Sequence, residues 1–239
     1  MRNMVAIMQR ELLALFYSPI GYVVIASFLL LTGVWVVVQQ VFEPGNPASL
    51  RRVFDLMPMI MAFIIPAISM RLISEEYRSG TIETLMTAPL SEVQMVLGKY
   101  LAGIVFYGIM IGGTLVYLIL LAWFGNPDFG VSLSAYLGLF LLGTAFVGFG
   151  LFTSSLTSNQ VVAYILAMIP MLMFIWFAQL LVDETSGFVR DVVQRISVVR
   201  HLGQFNRGLV TMESIVFFLG LAAFFLFATV KVVESKRWR

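Results

Sequence analysis

Long uncharged runs alternate with short polar breaks along almost the whole chain. Several runs exceed the roughly 20 residues that a helix needs to cross the hydrocarbon core, and they predict membrane spans near 20–42, 56–73, 96–124, 134–156, 160–182 and 210–232. The short connections predict one all-α, polytopic membrane unit of six helices over 1–239, with no soluble domain of useful size. The third run is long enough for its first turn or two to belong to the polar segment before it. Residues 2–16 follow another pattern, with Val5, Met8, Leu12 and Leu15 three or four positions apart among Arg2, Arg10 and Glu11. That spacing predicts an amphipathic helix over 1–18 lying in the membrane interface. Ser18 and Pro19 read as N-cap and first residue of the opening span. The opening run is too long for a signal-peptide core and no small-residue cleavage pattern accompanies it, so it reads as a retained anchor.

The largest polar break runs from Arg71 to Lys99, in a chain that is 60% hydrophobic and 12% charged. Its local signals are those of short helices. Gly80 suits the position after a helix end, where positive φ is needed. Thr81 can cap a second short helix, with Glu83 in its first turn. Pro89 stops that helix, and Ser91 with Gln94 makes a capping box for the next span. Ile82, Leu85 and Met86 fall at helical spacing toward the bilayer or neighbouring spans. Glu75, Glu76, Arg78 and Glu83 are expected largely toward water. Read plainly, 71–95 is a solvated loop; read functionally, it is a surface through which a soluble partner moves the membrane helices.

The ordered string adds to this. Glu-Glu-Tyr-Arg-Ser-Gly-Thr-Ile-Glu-Thr-Leu (75–85), then Ala-Pro-Leu-Ser (88–91) and Gly-Lys-Tyr (98–100), resembles the loop after the second span of type-2 ABC exporter permeases. Phe205-Asn-Arg-Gly208 and the ending Glu234 to Trp238 are similar to patterns of the gliding-motility and nitrous-oxide-accessory branch. The resemblance implies a permease subunit, paired with a second permease chain as homodimer or related paralogue. It would be driven by a separate ABC ATPase subunit that carries ATP and Mg. It further implies that 71–95 is a coupling-helix region touching that ATPase, with Gly80, Thr81 and Pro89 shaping the contact. Glu75, Glu76, Arg78 and Glu83 would give it charge complementarity.

Charge gives the orientation. With the N-terminus inside, Arg2, Arg10, Arg71, Arg78, Lys99, Lys231, Lys236, Arg237 and Arg239 are inner, and Arg51, Arg52, Arg190, Arg195, Arg200 and Arg207 outer. The bias favours both termini in the cytoplasm of a bacterial cytoplasmic membrane. The net charge of +2 suits ordinary membrane flanks, and no basic run points to nucleic acid. The outer loop 183–209 carries Val189, Val192, Val193, Ile196 and Val199 as an apolar stripe, with Asp191 and Arg195 as an i,i+4 pair. It reads as a short amphipathic helix on the outer leaflet or as a loop helix covering the bundle.

Inside the spans the pattern speaks of packing. Gly108 and Gly112 form a GxxxG match, suited to close packing within the chain or to a dimer seam. Gly150 and Ser154 continue the small-residue theme. Pro66 and Pro170 each remove a backbone hydrogen bond and are possible kinks, serving a gate or a static bend. The expected span centres hold no ionisable residue, which disfavours an ion-coupled transporter. The chain has 14 Met, one His and no Cys; His201 stands beside Arg200 with no carboxylate near it in sequence, a poor metal ligand. Neither a nucleotide-binding nor a catalytic motif occurs, so no cofactor is expected on this chain. The alternative to a permease is a membrane scaffold holding a motility or assembly machine without moving a substrate; an intramembrane enzyme is disfavoured.

Overall fold

The computed structural model describes residues 2–43, 49–81, 91–184 and 193–237, with the backbone alone for Arg2, 177–184 and Arg237. The described residues form helices α1 (Arg2–Tyr17), α2 (Pro19–Val38), α3 (Arg51–Ser69), α4 (Arg71–Ser79), α5 (Glu92–Phe124), α6 (Phe129–Leu156), α7 (Gln160–Glu184), α8 (Val198–Phe205) and α9 (Met212–Arg237). Among the described residues, five stretches are long and apolar enough to cross a membrane: Pro19–Val38, Arg51–Ser79, Glu92–Phe124, Phe129–Leu156 and Met212–Lys236. The sixth expected run is α7, whose apolar part Gln160–Trp176 is shorter than these among the residues with described side chains.

The local signals work as elementary physics requires. The Ser18 hydroxyl accepts from the Ile20 amide with Pro19 next in line, so α1 and α2 meet at a capped corner. Ser91 and Gln94 form the reciprocal capping box that starts α5. Asp128 caps α6 by accepting from the Val131 amide at 3.2 Å. These bonds satisfy amide donors that a helix start leaves open.

α6 is the centre of the bundle. It packs on α3, α4, α5, α7, α8 and α9, and 78% of its most apolar stretch is buried, against 28% for Pro19–Val38 and 22% for Met212–Lys236. In lipid, apolar side chains gain little from leaving one hydrocarbon for another, so close backbone approach and hydrogen bonds carry helix association. The glycines of α6 make that approach. A Cβ on Gly143 would lie 2.0 Å from the Tyr107 ring, one on Gly138 2.7 Å from Phe205, and one on Gly150 1.9 Å from Ser69 Oγ. Gly138, Gly143 and Gly148 meet different helices, as their five-residue spacing requires.

The GxxxG pair behaves otherwise. A Cβ on Gly112 would meet nothing within 4 Å, and one on Gly108 only Phe140 at 3.6 Å. Neither glycine therefore makes the very close helix approach within the described residues that the glycines of α6 make, and Gly108 meets α6 only at ordinary van der Waals distance. Their neighbours Val105, Ile109, Val116 and Ile119 are exposed, so this side of α5 faces outward.

The bundle has two polar ends. One gathers α1, α4, the start of α5 and the ends of α6 and α9, since Glu76 meets Arg10 and Lys99, and Lys236 meets Ser155. The opposite end gathers the starts of α3 and α6 with the segment after α8, where Asn206 bonds Asp55. Thus the N-terminal helix, the 71–81 segment and the end of α9 share one end.

Candidate functional site

The chain leaves α3 through a break at Met70 and continues as α4. Like any helix start, α4 presents free amides, and its N-cap Met70 has no side chain to receive them. Ser154 of α6 takes that role across the bundle. Its hydroxyl accepts from the Ile73 and Ser74 amides at 3.1 and 3.0 Å and donates to the Met70 carbonyl at 2.7 Å. Gly150, one turn earlier, lets Ser69 lie directly on the α6 backbone. The small-residue pair Gly150 and Ser154 is therefore a clamp on the point where the second span turns into α4.

α4 buries Leu72, Ile73, Ser74 and Glu76. Glu75 is half-exposed and pairs with Arg71 at 3.1 Å in i,i+4 spacing; Arg78 is exposed in the last turn. Gly80 ends the helix at φ +71, the left-handed conformation that its position predicts, with open space where a Cβ would stand. The Thr81 hydroxyl meets that of Ser79 at 2.9 Å. Glu83 and Pro89, and the second short helix expected around them, lie outside the described residues.

Glu76 corrects the sequence reading. It was expected toward water and is 8% exposed, because its Oε1 is the meeting point of two cations: Arg10 of α1 at 2.7 Å and Lys99 of α5 at 2.9 Å. Lys99, fully buried, also reaches Glu11 at 3.1 Å, and Glu11 pairs with Arg10 at 2.6 Å. Two acids and two bases thus tie three helices into one charged junction. Glu76 Oε2 has no hydrogen-bond partner among the described residues, and a single oxygen carries both of its ion pairs. Burial pushes the Glu11 carboxyl up, but the Lys99 and Arg10 charges outweigh it and hold the pKa below its ordinary value.

A second link comes from the end of α9. The Lys236 ammonium stands 4.1 Å over the Tyr77 ring and donates to the Ser155 carbonyl at 2.9 Å. One cation therefore stacks on α4 and holds a carbonyl that the end of α6 leaves open.

Sequence reasoning missed the junction, though it left a signal. Lys99 is the only charge from Val93 to Phe124, a turn or two inside a span, and a buried ammonium needs partners. Their identity depended on the fold, since Glu11 lies 88 residues away. Pro66 and Pro170 stand inside α3 and α7, and the Met70 break follows Pro66 by one turn. His201 is a buried packing residue: its ring nitrogens meet Ser214 Oγ and the Arg195 carbonyl, each at 2.9 Å, and its ring stacks on Phe217.

The Phe205 to Gly208 string organises the opposite end. Phe205 fills the notch at Gly138, Asn206 Nδ2 donates to Asp55 at 2.8 Å, and Gly208 turns the chain toward α9 at φ +81. Of the expected outer stripe, Val193 and Ile196 lie in a helical turn at 193–196 and Val199 in α8; Val189, Asp191 and Val192 lie outside the described residues.

A comparison with curated proteins finds no match. The family model described as ABC-2 family transporter protein matches residues 5–233, nearly the whole chain. Members of this family are transmembrane rather than catalytic subunits and work with an ABC ATPase. The chain belongs to the ABC-2 transporter family, as a multi-pass membrane permease component of an ABC transporter.

Proposed function

We propose that this permease is an exporter subunit whose 71–95 region receives a separate ABC ATPase at the cytoplasmic face of the cell membrane, with both termini on that side and six helices crossing the bilayer. The charged junction is the observation that carries this reading. α4 presents Arg78 and half of Glu75 outward, while its other face is locked by Glu76 to α1 and α5 and by Ser154 to α6. A push on such a helix has stiff paths into the membrane bundle, whereas a solvated loop would absorb it. The second permease chain is assigned to the outward side of α5. There Gly112 leaves room for close approach of another helix, since no described residue of this chain stands within 4 Å of where its Cβ would lie.

The test uses the permease co-expressed with its ABC ATPase. Glu75→Lys with Glu83→Lys reverses two charges of the 71–95 region and should weaken co-purification, since close charge mismatches cost several kcal/mol. Glu76 is left out of that test, because reversing it would break the junction. Gly80→Val meets no described residue, and its cost from the left-handed backbone is on the order of 1–2 kcal/mol. It should preserve co-purification and lower transport-linked ATP hydrolysis. Tags at residue 85 and at the C-terminus should label from one side of the membrane and a tag near 190 from the other. The reading is overturned if all these variants bind and hydrolyse like the parent, or if positions 85 and 190 label together.

A further inference from the structure

At the end of the bundle away from the junction, a cleft of about 290 Å³ opens between the starts of α3 and α6 and the segment after α8. Its polar lining is Ser49, Arg51, Asp128, Ser132, Asn206 and Arg207. Asn206 is 4% exposed, and its amide nitrogen is committed to Asp55, yet its Oδ1 has no hydrogen-bond partner among the described residues. A buried acceptor left open costs free energy unless something fills it. Arg51 and Arg207 are exposed, and neither forms an ion pair among the described residues. The starts of α3 and α6 add the positive ends of two helix dipoles.

A simple anion would satisfy the arginines but face the Asp128 carboxylate and leave Asn206 Oδ1 empty. A group carrying both an anion and a hydrogen-bond donor satisfies all four. The volume is at the small end of ligand clefts, roughly 300–1,000 Å³, enough for a headgroup and too little for a whole lipid. Trp123 and Phe124 at the end of α5 and Phe129 at the start of α6 are exposed at this end, and exposed aromatic residues gather at headgroup depth. We propose that this cleft binds a phosphoester with a neighbouring N–H donor, of the phosphoethanolamine kind. The phosphate would lie on Arg51 and Arg207, and the ammonium against Asn206 Oδ1 and Asp128.

Calorimetric titration of the purified full chain in detergent tests this. The probes are short-chain phosphatidylethanolamine, short-chain phosphatidylcholine, which keeps the phosphate but has no N–H donor, and soluble O-phosphoethanolamine. The ethanolamine lipid should bind about tenfold more tightly than the choline lipid, the size expected for one charge-assisted hydrogen bond. Arg51→Gln with Arg207→Gln, both at exposed positions, should weaken both lipids by about tenfold or more. Asp128→Asn keeps a competent helix cap and should weaken the ethanolamine lipid alone. Soluble phosphoethanolamine binding as tightly as the lipid assigns the site to a free phosphoester; clearly weaker binding assigns it to a lipid headgroup. Equal binding of the two lipids, no binding of any probe, or a double arginine variant that binds like the parent overturns the proposal.

Discussion

The two ends of this bundle handle charge in opposite ways. At the junction end, Glu11, Glu76, Lys99 and Arg10 meet within 3.1 Å, and the fully buried Lys99 has two carboxylates. At the other end, Arg51 and Arg207 stand exposed beside a buried amide oxygen that accepts from none of the described residues. A closed network resists relative motion of the helices it joins, because moving one strands a desolvated charge. An open set of groups does not constrain the helices that carry it and is free to take a ligand. The first arrangement suits transmission of force and the second suits recognition.

The largest effect should come from opening the closed network. Lys99→Met leaves the buried Glu76 and the partly buried Glu11 carboxylates sharing Arg10 alone and should cost about 3–5 kcal/mol of stability, read as a lower unfolding temperature of the purified permease. Adding Glu76→Gln should recover part of the loss. Without that recovery the two residues are not coupled, and the junction is not a lock.

Next comes the clamp on α4. Gly150→Val forces α6 away from Ser69 and should cost about 1–3 kcal/mol through overpacking. Gly112→Val, with no described residue within 4 Å of its Cβ position, should leave the unfolding temperature unchanged and, on the proposed pairing through α5, weaken association with a second permease chain. Equal destabilisation by both would erase the distinction between inward and outward glycines.

A smaller effect tests the electrostatics directly. Glu11 has a lowered pKa in the folded protein, so its contribution is complete above the unfolded value near 4.5 and is lost as the pH falls through the folded one. Glu11→Gln should cost on the order of 1–2 kcal/mol near neutral pH, and its gap to the parent should close below about pH 4.5. A gap independent of pH would mean that Glu11 contributes through packing alone. The smallest change is Lys236→Met, which gives up the Tyr77 stacking and a carbonyl bond for about 1 kcal/mol. It should lower unfolding temperature slightly and leave the opposite end untouched.

The elements themselves were legible in the chain because their causes are local. The Ser18-Pro19 corner, the Ser91 and Gln94 box and the left-handed Gly80 each depend on a few neighbouring residues, and each stands where its sequence signal predicts. The spans followed from hydrophobic length. Their ends shifted where tertiary contact decided: the second begins at Arg51 and runs through Met70 into α4, because Ser154 supplies from across the bundle the cap that Met70 lacks.

What no local signal carried is which polar groups meet. On α4 alone, Glu75 and Glu76 are adjacent acids on a polar segment, and only the arrival of Arg10 and Lys99 makes one of them a buried anchor. Likewise, Gly112 and Gly150 look alike in an apolar run, yet one faces open space and the other lies on Ser69. The sequence by itself determined a polytopic helical permease with its caps and turns, since hydrogen bonding and hydrophobic length act over a few residues. The tertiary structure alone decided the ionic junction, the clamp and the open cleft, since desolvation and contact depend on partners as distant as 151 residues along the chain.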